Sequence, residues 1–264
     1  MRDPHVESLR FRFTSSSTTF DAPPPVLVEK DDFRAELRDG VLTVQMKQDC
    51  ASIDAARMVV AGFLRAWEID VALRLGPEEF QFVYQDAHVV DRDPPPRGAP
   101  ITSTIHATLH LDGTVVVHVT RREYPAPPQC FVASPDVETM WCRFQGYLKG
   151  REPLAAMAYF CLTVLTYRFP KGRTREAASQ EYGIDTEVLS CLGDLSTNRG
   201  DPTSARKMIP GLPAHTPSEV AWLEAAMKRI IRRVAEHDAG GTGLPTITMT
   251  DLPRPVPEVA AVLK

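Results

Sequence analysis

Residues 33–47 have the sequence FRAELRDGVLTVQMK, and this stretch decides the fold of the first half of the chain. Apolar and polar residues alternate on both sides of Asp39-Gly40, which is typical of two strands that each bury one face. Asp-Gly also suits the tight turn of a two-residue hairpin, because both positions of that turn have positive φ. The stretch therefore predicts a pair of antiparallel strands.

The segments around this hairpin predict more of the same sheet. A second pair of β-rich runs flanks Asp112-Gly113 in residues 101–122. Alternation predicts strands over residues 69–75 and 80–84, and a helix capped by Ser52 over residues 53–67. We expect a β-rich domain over residues 1–130, in which six or seven antiparallel strands carry one helix across one face.

After the Pro-rich stretch at residues 124–128 the pattern becomes helical. Ser134-Pro135 and Pro153 are typical helix starts, and residues 216–219 (TPSE) form a complete capping box with Pro at the first helical position. These signals predict a helical domain over residues 131–240, followed by an extended tail over residues 241–264. The two halves together predict an α+β protein.

Composition limits the class of protein. The chain has 264 residues, 43% of them hydrophobic, and a net charge of −4, so it can build a sizeable core and has no general basic field for nucleic acid. Its five cysteines include no C-x-x-C pair, which indicates a reducing compartment. Neither the N-terminal residues nor the apolar residues 154–169 have the pattern of a signal peptide or a membrane span. We expect a cytoplasmic protein without a membrane segment, and the Arg-rich composition is compatible with a high-GC bacterium.

Residues 175–192, with the sequence REAASQEYGIDTEVLSCL, have the spacing of a helix-turn-helix. Ala178 and Tyr182 occupy the positions at which the first helix of this motif carries apolar residues, and Gly183 supplies the turn. The second helix, however, offers Glu187 and Asp194 rather than the Arg, Lys, Asn or Gln side chains that contact bases. A structural two-helix corner is therefore favoured over a DNA reader.

A second candidate site lies near the end of the last long helix, where residues 232–237 have the sequence RRVAEH. Arg, four residues, then His resembles the active-site motif of the HEPN ribonuclease superfamily, whose members are helical and commonly dimerise with two motifs facing each other. The resemblance implies that Arg232 would stabilise the scissile phosphate and that His237 would act as acid or base in a metal-independent endoribonuclease. Arg233 follows the first Arg, where the family often has Asn, Asp or His.

The cations around these two motifs are the candidate nucleic-acid contacts: Arg173, Arg175, Lys228, Arg229 and Arg233. The structural alternative is that the cations near residue 230 favour the dipole at the C-terminus of their helix.

Other motifs give weaker signals. His106, His110 and His118 lie in one predicted hairpin, but strand geometry places His106 and His110 about 13 Å apart and His118 on the other face, so no metal site is predicted. Gln45-Met-Lys47 resembles the short motif of some restriction-type nucleases. The nucleotide-binding loops, the G-x-S-x-G elbow and the H-E-x-x-H motif are absent from the sequence, and no cofactor is predicted.

Three hypotheses follow. The first is a non-catalytic binding or assembly protein, whose β-rich half recognises a partner and whose helical half associates with another chain or with a second copy. The second is a HEPN-like RNA endonuclease that uses Arg232 and His237. The third is a DNA-binding regulator that acts through residues 175–192, so nucleic acid is the alternative partner.

Overall fold

The computed structural model describes residues 3–77, 80–93, 119–200 and 212–255. The chain divides between Pro128 and Gln129 into a β-rich unit and a helical unit. Strands with one helix are followed by helices alone, so the predicted α+β class is confirmed.

The β-rich unit is built on a five-stranded antiparallel sheet with the order β3-β4-β5-β1-β6. A separate parallel pair, β2 with β7, differs from the purely antiparallel prediction. The hairpin predicted over residues 33–47 is confirmed as β4 and β5, and its turn has φ of 50° at Asp39 and 74° at Gly40. The strands are β1 Pro4–Thr14, β2 Thr18–Phe20, β3 Val26–Glu29, β4 Phe33–Arg38, β5 Val41–Met46, β6 Gln81–Asp91 and β7 Val119–Arg121.

Helix α1 spans Ile53–Leu75 and is capped by Ser52, whose side chain accepts a hydrogen bond from the Ala55 amide. The strand predicted over residues 69–75 is therefore wrong. Residues 69–73 are all buried, so their apolar spacing reflects a helix enclosed on every side rather than a strand with one exposed face. Gly76, with φ of 123°, ends the helix.

Helix α1 covers one face of the sheet, and the core of the unit lies between the two. Trp67, which is fully buried, donates from Nε1 to the Pro125 carbonyl oxygen at 3.0 Å and contacts the rings of Phe80 and Phe82. The sheet contributes the fully buried side chains Val6, Leu9, Ala35, Leu37, Leu42 and Val44. The opposite face of the sheet carries mainly polar side chains, among them Arg10, Arg34, Glu36 and Thr43.

The helical unit places α3 in contact with each of the other four helices. Helix α3 is apolar around its circumference, and Ala155, Met157 and Cys161 are fully buried, so residues 154–166 form a core helix. The helices are α2 Pro135–Leu148, α3 Leu154–Thr166, α4 Thr174–Tyr182, α5 Thr186–Asn198 and α6 Pro217–Asp238. A 3-10 turn, Met249–Asp251, follows in the C-terminal segment.

Several sequence predictions fall on residues that are not described. The second hairpin lies outside the described residues except for residues 119–122, of which Val119–Arg121 form β7. His106, His110 and His118 also lie outside the described residues. Within the described ranges, no helix is both long and apolar enough to cross a membrane.

Candidate functional sites

The end of α6 holds the imidazole of His237 between two carboxylates. Nδ1 lies 3.2 Å from Asp238 Oδ1, and Nε2 lies 3.4 Å from Glu181 Oε1. Asp238 also accepts a hydrogen bond from the hydroxyl of Ser134, which caps α2. The ring of Tyr182 packs against the imidazole with centroids 4.9 Å apart. His237 is thus held in place and is about one-third exposed, which is a geometry that an acid or base can use.

Tyr182 does not share that role. Its hydroxyl is buried without a hydrogen-bond partner among the described residues. Burial raises the pKa of Tyr182 to about 12, so the phenol remains protonated at neutral pH.

Arg232 does not join His237 on one surface of the helix. Five residues of α-helix place two side chains about 140° apart around the axis. Arg232 donates from Nε to Glu236 Oε1 at 3.0 Å, four residues along the helix. The carboxylates of Glu181, Glu236 and Asp238 would also repel a phosphate at this end of α6. A site that uses both motif residues would therefore need a second copy to bring them together.

Arg233 is not available as a nucleic-acid contact, because it is only 5% exposed. Its Nη1 donates to the carbonyl oxygens of Tyr182 and Gly183 at 3.0 and 2.8 Å, and its Nη2 donates to that of Pro245 at 2.6 Å. The buried guanidinium of Arg233 thus joins three backbone carbonyl oxygens from two separate segments of the chain, which is a structural role. The sequence prediction placed Arg233 with its cationic neighbours because sequence alone does not show which side of α6 faces the core.

The other predicted cations differ in their exposure and contacts. Arg173 and Arg229 are exposed, whereas Lys228 is half-buried. The guanidinium of Arg175 folds over Gly193, and a Cβ built on that glycine would collide with Nη2. The structure therefore does not assemble the five predicted cations into one basic patch.

Helices α4 and α5 form the two-helix corner that the sequence indicated. Gly183 ends α4 in the left-handed conformation with φ of 59°, and Asp185 caps α5 by accepting from the Glu187 amide. The buried side chains of the corner are Ala178, Tyr182, Ile184, Val188, Leu189 and Leu192. Glu187 and Asp194 are exposed on α5, and their negative charge weighs against contact with duplex DNA.

The uncovered face of the sheet is a candidate surface that sequence reasoning missed. Cross-strand register places Arg34 beside Gln45 and Arg10 beside Thr43 on this face. Opposite charges pair across it: Arg10 with Asp86 at 3.6 Å, Arg34 with Glu29 at 3.8 Å, and Lys47 with Glu29 at 2.6 Å. A polar depression of about 140 Å³ is lined by Arg34, Glu36, Thr43 and Gln45. The signal was present in the sequence, since charged residues recur at every second position in residues 34–38 and 10–12.

The Gln45-Met-Lys47 triplet lies at the edge of this face. Lys47 is engaged by Glu29 and by the Lys30 carbonyl oxygen. No group of three or more potential metal ligands occurs among the residues that the structure describes.

Comparisons with known proteins find no matching family model, no matching curated protein and no matching solved structure.

Proposed function

We propose that the chain is a non-catalytic binding protein and that the uncovered face of its sheet contacts a protein partner of mixed surface charge. The observation that carries the proposal is the row of charged, exposed side chains held across neighbouring strands, on the face of the sheet opposite the one that α1 covers. Antiparallel sheets present such a face to solvent or to a partner.

The charge pattern favours protein over nucleic acid. Cations and anions alternate on the face, so it has no continuous field for phosphate. Its outward side chains at the positions paired between β1, β4, β5 and β6 include no Phe, Tyr or Trp ring on which bases could stack, and the imidazole of His88 on this face lies 2.6 Å from the carboxylate of Glu7. Arginines are frequent at the centres of protein interfaces, and Arg10 and Arg34 are both about half exposed here.

The existing ion pairs leave these charges available for a partner. Exposed pairs contribute about 0–1 kcal/mol each, so exchanging one for a pair across an interface has a small cost. Leu27 and Val83, which are 59% and 46% exposed, add apolar area on the same side of β3 and β6. Five strands spaced about 4.8 Å apart make a face about 19 Å wide, which suits a small, transient interface.

Charge reversal on the face tests the proposal. The full chain would serve as bait, and each captured protein would be purified and titrated against it by calorimetry. We expect Arg10→Glu and Arg34→Glu each to weaken binding at least tenfold. Arg57→Glu is the matched control, because Arg57 is 49% exposed in the same unit but lies over the Tyr84 ring on the α1 side. Equal binding by all three variants and the wild type would overturn the proposal.

The second candidate function is RNA cleavage, which the orientation of His237 by Asp238 favours. An RNA cleavage assay with His237→Ala and Arg232→Ala beside the wild type tests it. Cleavage that disappears in both folded variants would support a nuclease. Absence of cleavage by the wild type at concentrations that favour a dimer would argue against it.

A further inference from the structure

The C-terminal segment crosses the α4–α5 corner as a strap, defined here as residues 244–252, which ends with the 3-10 turn Met249–Asp251 and Leu252. The Ile247 amide donates to the Gly183 carbonyl oxygen at 2.9 Å, and the Asp185 amide donates to the Ile247 carbonyl oxygen at 2.8 Å. These two bonds make Ile184 and Ile247 a single parallel β-bridge. The strap thus uses backbone pairing, as an added strand does.

Three further contacts fix the strap. Ile247 and Leu252 are 5% and 6% exposed, so two apolar anchors five residues apart enter the helical unit. The buried guanidinium of Arg233 joins the strap to the corner. It donates hydrogen bonds to the Pro245 carbonyl oxygen in the strap and to the carbonyl oxygens of Tyr182 and Gly183 at the end of α4. Pro245, Thr246, Thr250 and Asp251, by contrast, are exposed.

The segment before the strap has the properties of a hinge. Gly240 and Gly243 have φ of 77° and 67°, and a Cβ built on either would meet no atom within 4 Å. Thr242 and Gly243 are exposed. Gly241 is held against the end of α6, because its amide donates to the Glu236 carbonyl oxygen at 3.0 Å. The hinge is therefore confined to Thr242 and Gly243, which can change conformation without repacking a core.

We propose that residues 244–252 are a detachable strap that occupies an extended-peptide groove formed by α6 and the α4–α5 turn. The occupant in this structure is the chain's own segment. Once the strap leaves, the groove would present the backbone of residues 183–185, the Arg233 guanidinium and two apolar sites. It would then accept another extended segment with apolar residues at the spacing of Ile247 and Leu252.

Charge contributes to the recognition. Hydrogen bonds from Thr248 hold the pKa of Asp251 below its ordinary value, and the positive charges of Arg229 and Arg233 act in the same direction. Asp251 therefore interacts chiefly with Thr248 of the strap itself, and Arg229 and Arg233 of α6 add a weaker attraction that salt should reduce.

The experiment keeps the full chain and opens the hinge. A protease recognition sequence is inserted between Thr242 and Gly243, and the folded protein is cut there. A fluorescent synthetic peptide of residues 244–255 is then added, and its uptake is followed by anisotropy. We expect the peptide to exchange with the cut segment and to bind with a dissociation constant on the order of 10 µM.

Peptide variants provide the matched comparison without changing the fold of the protein. Ile247→Asp in the peptide should reduce affinity at least tenfold, whereas Thr246→Asp, at an exposed neighbouring position, should change it less than threefold. Equal binding by the two peptides, or no uptake at all, would overturn the proposal. Loss of helical circular dichroism when the cut segment is removed would also overturn it, because the strap would then be part of the folding unit.

Discussion

At the scale of single residues, Arg233 shows how position decides the role of a side chain. It belongs to a run of cations on α6, and sequence alone gives it the same role as Lys228 and Arg229, that of a nucleic-acid contact. In the structure it is the buried member, and its donors satisfy three carbonyl oxygens of the corner and the strap. A residue that the sequence predicted as a phosphate contact therefore has a structural role. This role can be recognised only once it is known which side of α6 packs against the core.

Arg233→Met should lower the free energy of unfolding of the helical unit by about 3 kcal/mol, because the carbonyl oxygens of Tyr182, Gly183 and Pro245 all lose a charged donor. Arg232→Met on the same helix is the control. Arg232 is 38% exposed, so its loss should cost less than about 1 kcal/mol. Urea unfolding followed by circular dichroism at 222 nm measures both, and equal losses would contradict the role assigned to Arg233.

Gly183 gives a second prediction at this scale. Gly183→Ala should destabilise the chain by about 1–2 kcal/mol, because φ is 59° and the new Cβ would lie 3.1 Å from Arg233 Nη1. Gly150→Ala has a similar φ of 66° but meets no atom within 4 Å, so it isolates the backbone contribution. Thermal unfolding of both variants provides the comparison. A larger loss of stability for Gly150→Ala than for Gly183→Ala would contradict the close packing of Arg233 against Gly183.

At the scale of elements, the sequence predicts best where the signals are local. The hairpin over residues 33–47, the Ser52 cap and the Thr216 capping box all depend on neighbouring residues and are present in the structure. The strand predicted over residues 69–75 was wrong because apolar residues in a helix buried on all sides can alternate by chance. Contacts between residues distant in the sequence, such as the bridge between Ile184 and Ile247, have no local sequence pattern and could not be predicted.

The start of α6 makes stability depend on pH. Burial raises the pKa of Glu219, but hydrogen bonds from Thr216 and Arg199 outweigh burial and hold it below its ordinary value of 4.5. Because the pKa of Glu219 is lower in the folded than in the unfolded state, its ionised carboxylate stabilises the folded state fully above about pH 4.5. This stabilisation is lost as the pH falls through the folded-state pKa.

We therefore expect Glu219→Gln to lower the free energy of unfolding at pH 7 and to differ progressively less from the wild type as the pH decreases below 4.5. Urea titrations at several pH values between 3 and 7 measure this difference. A gap between the two proteins that stays constant over that range would show that the ionised carboxylate makes no contribution.

At the scale of the whole molecule, the three tryptophans report on both units. Trp67 lies in the β-rich unit, and Trp141 and Trp222 lie in the helical unit; each is at most 1% exposed. We expect a blue-shifted emission and weak acrylamide quenching in the native chain, with both changing on unfolding in urea. Strong native quenching that disappears in Trp67→Phe would contradict the burial of α1 against the sheet.

The strand order of the β-rich unit has a consequence for synthesis of the chain. β1 comes first in the sequence, but it lies between β5 and β6 in the sheet. During translation β1 cannot pair until β5 has been synthesised. The other edge of β1, which pairs with β6, stays unpaired until β6 has emerged. The local β4–β5 hairpin can form before either event. The newly made chain therefore carries an open strand edge through some eighty residues of elongation, which is the interval in which a chaperone or an adjacent nascent chain would meet it.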